Sequence, residues 1–135
     1  MTRTQIILEA RAWLGVPYLH QGRTRNGVDC LGLLRMIADK YQISDYDEAD
    51  YSTNPSGYRM QRILSEKMIR IPYLEAQEAD ILHMATAKEP QHLAIISSEY
   101  PRRIIHASAI HGRVVEQGLD PDLKIRGAYR IPGIA

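Results

Sequence analysis

The first apolar residues of the chain recur with the spacing of one helix face between Thr4 and Leu14. The residues on this face are Ile6, Ile7, Ala10, Trp13 and Leu14. Thr2 and Gln5 have the spacing of a capping box before the helix, and Gly15 follows as a stop signal. The pattern predicts an N-terminal amphipathic helix that buries its tryptophan in the core.

A second helical pattern starts at Cys30, with Asp29 well placed as its N-cap. Its apolar positions are Leu31, Leu34, Ile37, Ala38 and Tyr41. The stretch from Gly15 to Asp29 is rich in glycine and too irregular for a regular element, so it predicts a shaped loop that leads into the helix. An acidic, tyrosine-rich surface loop, 42–57, then precedes a third predicted helix from Tyr58 to Met68.

The second half of the chain changes to short segments rich in Ile, Val and Leu. These segments are Ala79–Met84, His92–Ser98, Arg103–Ser108, Arg113–Gln117 and Gly127–Ile131. Their connections are too short for helical crossovers, which favours antiparallel pairing. Helices first and strands later predict a single α+β domain over residues 1–135. We expect N-terminal helices packed on a mainly antiparallel sheet of about five or six strands.

Composition and charge exclude several classes of partner. The chain has 135 residues, of which 44% are hydrophobic, and a net charge of only +1. No global electrostatic field therefore attracts nucleic acid or an anionic membrane. Charged residues interrupt the segment from Met1 to Leu14, and no later apolar run could span a bilayer. We expect no nucleic-acid partner, no membrane insertion, and synthesis in the cytoplasm without a signal peptide.

Cys30 is the only cysteine, which rules out an internal disulfide and a cysteine-rich zinc site. A lone thiol is either an inert buried group or a functional one. The start of a helix favours a thiolate because unpaired N–H groups and the helix dipole stabilise negative charge. A nucleophilic Cys30 also requires a base within hydrogen-bond reach and a third group that orients the base.

Two of the five histidines fall in adjacent predicted strands. His92 opens one strand and His106 lies in the next. If the hairpin folds about Glu99, the two side chains stand directly opposite each other on one face, so that one imidazole holds the other. A loop shifted by a single residue would put the rings on opposite faces. The alternative for His106 is a satisfied core histidine.

Several segments of the chain occur in an order and spacing that carry a family resemblance. They are Gly15-Val16-Pro17-Tyr18, Asp29-Cys30-Leu31-Gly32, Ala79-Asp80-Ile81-Leu82, His92-Leu93-Ala94-Ile95-Ile96 and Ile104-Ile105-His106-Ala107-Ser108. Together they resemble the NlpC/P60 family of cysteine peptidases over nearly the entire chain. Two departures are Leu31, where the family often has Ser, and His20-Gln21-Gly22, where it often has Trp-Gly-Gly. Neither departure removes a reacting group.

This resemblance implies a papain-like fold and a thiol hydrolase that acts through an acyl-enzyme without a metal or organic cofactor. In such an enzyme Cys30 attacks the carbonyl, His92 transfers the proton, and His106 orients His92. Tyr18 and the backbone N–H of Cys30 would stabilise the oxyanion. The family's typical target is the bond between D-γ-glutamate and a diamino acid in peptidoglycan stem peptides.

Three strings of residues are similar to the branch of the family that phages and prophages carry near their tail genes. They are Pro17-Tyr18-Leu19-His20-Gln21-Gly22, Leu31-Gly32-Leu33 and Gly127-Ala128-Tyr129-Arg130-Ile131-Pro132-Gly133. This similarity implies phage tail proteins as partners and a monomeric enzyme that is virion-associated or delivered to the cell wall. The alternatives are a non-catalytic tail or assembly component, a secreted antibacterial effector that degrades the wall, and an acyl transferase acting on lipids. No amphipathic membrane-binding stretch supports the transferase.

Asp29, Arg23 and Arg25 lie close to the predicted nucleophile in sequence and are candidate substrate-binding residues. The arginines could pair with carboxylates of the stem peptide, and solvated loop charges are the alternative. The remaining histidines are His20, His83 and His111. They lack the spacing that places ligands on one metal ion, so no metal is expected.

Overall fold

The computed structural model describes residues 1–41, 57–85, 91–120 and 123–134, without the side chains of residues 57–61. The acidic stretch 42–56 of the predicted surface loop lies outside the described residues. The helices are α1 (Arg3–Arg11), α2 (Cys30–Lys40) and α3 (Gly57–Lys67). The strands are β1 (Arg23–Thr24), β2 (Gly27–Val28), β3 (Ile69–Ile71), β4 (Ile81–Ala85), β5 (His92–Glu99), β6 (Arg102–Ser108), β7 (Arg113–Gly118) and β8 (Lys124–Arg130).

The caps of the first two helices confirm where the sequence predicts that these helices begin. The Thr2 hydroxyl accepts the N–H of Gln5 at 3.1 Å, and the Gln5 side chain accepts the N–H of Thr2 at 2.8 Å, which completes the capping box. Asp29 caps α2 by accepting a backbone N–H of the first turn at 2.8 Å. α1 ends at Arg11, short of the predicted Leu14.

Six strands form one antiparallel sheet in the order β3-β8-β4-β5-β6-β7, which confirms the predicted α+β class. β3 was not predicted, because the three residues Ile69–Ile71 are too short to show an alternating pattern. This strand pairs with β8 at the edge of the sheet, where Arg70 aligns with Tyr129.

The segment before α2 contains a regular element, so the prediction of an irregular loop was wrong there. β1 and β2 form a small hairpin that pairs Arg23 with Val28 and Thr24 with Gly27. Two glycines make this close approach possible, since a Cβ atom on Gly22 would lie 2.2 Å from the carbonyl oxygen of Gly27. The hairpin therefore positions the residues immediately before Cys30 and α2.

Hydrophobic side chains cover both faces of the large sheet. The helix-side core includes Ile6, Trp13, Leu31, Leu34, Ile37, Leu64, Ile81, Leu93, Ile95, Ile105 and Tyr129. The opposite core includes Leu82, Met84, Ala94, Ile96, Ile104 and Ala128. Strand alternation produces these two sets, and α2 packs against β5 and β6 on the helix side. This packing fixes the start of α2 relative to both histidine-bearing strands.

The chain between α1 and α2 extends the sheet past β7. The N–H of Val114 donates to the carbonyl of Val16 at 2.9 Å, and the N–H of Tyr18 donates to that of Gly112 at 2.9 Å. Tyr18 also forms a parallel bridge with Val28, just before α2. The motif residues ahead of Cys30 are thereby joined by hydrogen bonds to the end of the sheet where β6 ends and β7 begins.

Candidate active site

Cys30 is the first residue of α2, as predicted, and its side chain is half-buried. The thiol borders a small cavity of about 10 Å³. Leu93 and Ala94 of β5 line the same cavity, and they directly follow His92 in the chain. The described structure thus brings the start of α2 against the start of the strand that carries the predicted base.

The Asp29 carboxylate, only 3% exposed, organises the loop before the thiol. One oxygen accepts the N–H of Gly32 at 2.8 Å and lies 3.2 Å from a guanidinium nitrogen of Arg23. The other oxygen accepts the N–H of Gln21 at 2.8 Å. Because donors of its own chain engage both oxygens, Asp29 acts here as a structural anchor, and direct contact with substrate stays a prediction.

Each of the two loop arginines contacts other parts of the chain. Arg23 pairs with Asp29 and also donates to the carbonyl of Gly22 at 2.9 Å. The Arg25 guanidinium lies 3.7 Å from the centre of the Trp13 ring, a cation–π contact, and donates to a carbonyl at the end of α1 at 2.7 Å. Their predicted role in binding a substrate carboxylate is therefore untested, and their present contacts stabilise the loop.

Asp29→Ala is expected to lower the free energy of unfolding by about 3 kcal/mol, because it leaves backbone donors and a guanidinium without their buried acceptor. Urea unfolding would measure the loss. Asp39→Ala is the matched control, since Asp39 is an exposed partner of Arg35 one helical turn away in α2 and should cost less than about 0.5 kcal/mol. Equal losses in the two variants would contradict the anchoring role of Asp29.

The two predicted histidines contact each other. Nε2 of His92 lies 2.5 Å from Nδ1 of His106, and the ring centres are 4.8 Å apart with an interplanar angle of 73°. Both side chains are buried, His92 completely and His106 to all but 5% of its surface. The prediction that both rings share one face of the sheet is therefore confirmed.

The strand register differs from the predicted one by three residues at the turn and by two residues beside the histidines. Glu99 pairs with Arg102, so the hairpin turns at Tyr100 and Pro101 and not about Glu99. This turn alone would place the two imidazoles on opposite faces. A bulge at Ser97 reduces this difference from three residues to two, an even number, and so restores the shared face.

Beyond the bulge, Ile95 pairs with Ile105. Carried one residue further, this register aligns His106 with Ala94, so His92 is a diagonal neighbour of His106 and does not stand directly opposite it. Diagonal side chains on one face are about 7–8 Å apart at their Cα atoms, which two imidazoles can bridge. The rings therefore meet although the predicted direct pairing was wrong.

Gln117 is a site residue that the sequence analysis missed. Gln117 lies on β7, the strand next to β6, and its Oε1 atom is 2.8 Å from Nε2 of His106. An amide oxygen only accepts hydrogen bonds, so Nε2 of His106 carries the proton and Nδ1 of His106 accepts from Nε2 of His92. A neutral His92 then has its lone pair on Nδ1. The chain of hydrogen bonds thus prepares that nitrogen to take a proton.

Tyr18 is half-buried at the same end of the fold as Cys30. Its backbone is held between the β6–β7 turn and Val28, and both Tyr18 and Cys30 pack on the helix-side core. The structure therefore brings the predicted oxyanion donor close to the predicted nucleophile in the fold, while its catalytic role stays a prediction.

The other histidines have separate environments. His83 Nε2 lies 2.7 Å from Oε1 of Gln91, and His111 Nδ1 lies 2.9 Å from the Ser108 hydroxyl. Burial lowers the pKa of His83, with smaller contributions from nearby arginines. Within the described ranges, no group of three side chains is placed to hold a metal ion. No helix in those ranges is long and apolar enough to cross a membrane.

Solved structures share this fold at low sequence identity. The NlpC/p60 domain of the peptidoglycan hydrolase SagA is 19% identical, with a TM-score of 0.73 over 97% of this chain and 100% of that one. The peptidoglycan hydrolase RipB of Mycobacterium tuberculosis is 19% identical, with a TM-score of 0.64 over 96% of this chain and 64% of that one. RipD of the same organism, described as a non-catalytic NlpC/p60 domain protein with a peptidoglycan-binding function, is 12% identical, with a TM-score of 0.63 over 95% of both chains.

The lengths of these relatives differ. This chain spans only 40% of an NlpC/P60 family protein from Bacillus cereus that it matches with a TM-score of 0.73 at 21% identity. Comparison with curated protein sequences gives no match. The model of the NlpC/P60 family matches residues 15–122, which include the loop before Cys30, the start of α2 and both histidine-bearing strands. The chain belongs to the NlpC/P60 family.

Proposed function

We propose that this chain is a cysteine peptidase that hydrolyses a peptide bond in the stem peptides of peptidoglycan. The observation that carries the proposal is the hydrogen-bonded series His92–His106–Gln117 at the start of the strand that lines the Cys30 cavity. A buried polar series of this kind costs free energy unless it is fully satisfied. Because this series of hydrogen bonds orients the Nδ1 atom of His92, we assign it a function beyond packing.

In the proposed reaction Nδ1 of His92 takes the thiol proton of Cys30, and the sulfur attacks the carbonyl carbon of the scissile bond. The Tyr18 hydroxyl and the backbone N–H of Cys30 stabilise the oxyanion of the tetrahedral intermediate. When the C–N bond breaks, His92 returns the proton to the leaving amine, and a thioester remains on the sulfur. Water activated by His92 then hydrolyses the thioester and restores the thiol.

The bond between D-γ-glutamate and the diamino acid is the proposed target. Family membership supports this choice, and so do the names of SagA and RipB, both described as peptidoglycan hydrolases. We further propose a monomer that reaches the wall with a phage tail, supported by the motif strings shared with that branch. A non-catalytic role like that of RipD is disfavoured here, because the thiol and both imidazoles are present.

Digestion of purified peptidoglycan tests the proposal. Wild type, Cys30→Ser and Cys30→Ala are each incubated with the polymer and with soluble muropeptides, and mass spectrometry identifies the new termini. We expect wild type alone to produce fragments that begin with a free diamino acid amine. Identical products from all the proteins would overturn the assignment of Cys30, and a different terminus would overturn the assigned bond.

A further inference from the structure

An open cleft of about 500 Å³ lies where β3 ends and β8 begins, and two arginines, Arg70 and Arg126, line it. This is the end of the sheet at which β5 starts with His92. Met84 pairs with His92 on one side and with Ile125 of β8 on the other, so the cleft and the proposed base lie along one rim of the sheet.

Arg70 is held in place within this cleft. Its guanidinium lies over Gly127, where a Cβ atom would be only 3.3 Å from Nη2 of Arg70. Its Nη1 atom donates to the Tyr129 hydroxyl at 3.3 Å, and its guanidinium carbon lies 5.7 Å from the centre of the Tyr129 ring. The missing side chain at Gly127 therefore leaves space in which a planar cation rests against the strand.

Arg126 reaches the same cleft because the sheet is irregular there. His83 pairs with Gly127 and Met84 pairs with Ile125, which leaves Arg126 as the extra residue of a bulge in β8. Bulges redirect side chains at the rims of sheets. Two guanidinium groups from neighbouring strands consequently line one cleft.

Within the described part of the chain, no carboxylate pairs with either arginine. The imidazole of His83 cannot balance their charge, because an imidazole is either neutral or positive. Burial is the largest cause that lowers its pKa, and the positive charges of Arg126 and Arg70 lower it further. Among the described residues, the cleft therefore has a surplus of positive charge.

We infer that the Arg70–Arg126 cleft binds a carboxylate of the peptide substrate. Two guanidiniums with several parallel N–H donors suit a carboxylate better than an amide. β8 lies two strands from β5 in the sheet order, which corresponds to roughly 10 Å at ordinary strand spacing, or about three residues of extended peptide. The inference rests on the proposed function, because it takes the ligand to be a stem peptide.

Peptide binding is measured with the Cys30→Ala variant of the whole chain, which lacks the proposed nucleophile and should not hydrolyse the peptide. This measurement separates the inference from the proposed catalysis. The probe for calorimetry is the tetrapeptide L-Ala-γ-D-Glu-diaminopimelate-D-Ala. A second peptide carries an amide at its C-terminus, a third has lysine in place of diaminopimelate, and a fourth has an amide in place of the free D-Glu carboxylate. These three comparisons identify which of the three free carboxylates enters the cleft. We expect one of these three changes to weaken binding by about tenfold.

Arg70→Gln and Arg126→Gln, each added to Cys30→Ala, are expected to weaken binding of the full carboxylate peptide by about tenfold and to abolish the preference for it. Arg62→Gln removes the same charge from an exposed position of α3 outside the cleft and should leave binding unchanged. Unchanged affinity in both cleft variants, or no measurable binding of any peptide, would overturn the inference. A wild type that binds with this preference but hydrolyses nothing would refute the proposed function alone.

Discussion

His92→Ala is expected to lower kcat on muropeptides by about three to four orders of magnitude, because general acid–base catalysis is lost in both halves of the reaction. It should also abolish alkylation of Cys30 by iodoacetamide near neutral pH, since the thiolate loses its ion-pair partner. The alkylation rate, followed by mass spectrometry, reports on the resting enzyme. It therefore tests the assignment of the base even without a substrate.

The control for this variant is His111→Ala. His111 is an exposed imidazole in the turn between β6 and β7, hydrogen-bonded to Ser108, and its loss should leave both kcat and the alkylation rate close to those of wild type. Thermal unfolding of the two variants would show whether His92→Ala still folds. A folded His92→Ala protein whose thiol reacts at the wild-type rate would show that His92 is not the base.

The parts of the fold that sequence could predict are those set by local chemistry. Thr2 and Asp29 form the caps that their positions indicated, because a cap depends on residues within one helical turn. The start of α2 at Cys30 followed from the same local rule. Short segments rich in Ile, Val and Leu likewise predicted β5 and β6 to within one residue at each end.

The details of the site depend on register, which is a property of two strands and their turn. No local signal showed that the hairpin would turn at Tyr100 and Pro101 or that Ser97 would bulge. Together these two irregularities shift the register by two residues, an even number, so the shared face of the histidines was predicted correctly from a wrong alignment. Gln117 could be found only once β7 was placed against His106, because its partner lies in another strand.

The arginine cleft was missed for a related reason. It depends on the pairing of β3 with β8, and β3 is too short for its pattern to be recognised. Arg126 reaches the cleft through a bulge, which alternation cannot predict. The proposed binding groups, which are assembled from distant strands, therefore require the three-dimensional fold, whereas the proposed reacting groups are indicated by motifs along the chain.

Tyr18→Phe is expected to lower kcat by about 10²–10³-fold with little change in KM, because an oxyanion donor acts mainly in the transition state. The backbone of Tyr18 is held by its N–H bond to Gly112 and by the bridge to Val28. Both backbone contacts remain in the variant, so the loop should keep its position and the melting temperature should stay near that of wild type. Steady-state kinetics on a soluble muropeptide and thermal unfolding measure both effects.

Tyr41→Phe provides the matched loss of a hydroxyl. The Tyr41 hydroxyl donates to the carbonyl of Gln5 at 3.1 Å, an exposed contact between the end of α2 and α1. Its removal should cost at most about 1 kcal/mol of stability and leave kcat unchanged. If Tyr18→Phe instead melts at a lower temperature while kcat stays at the wild-type value, the hydroxyl serves packing and the oxyanion must be stabilised by backbone N–H groups alone.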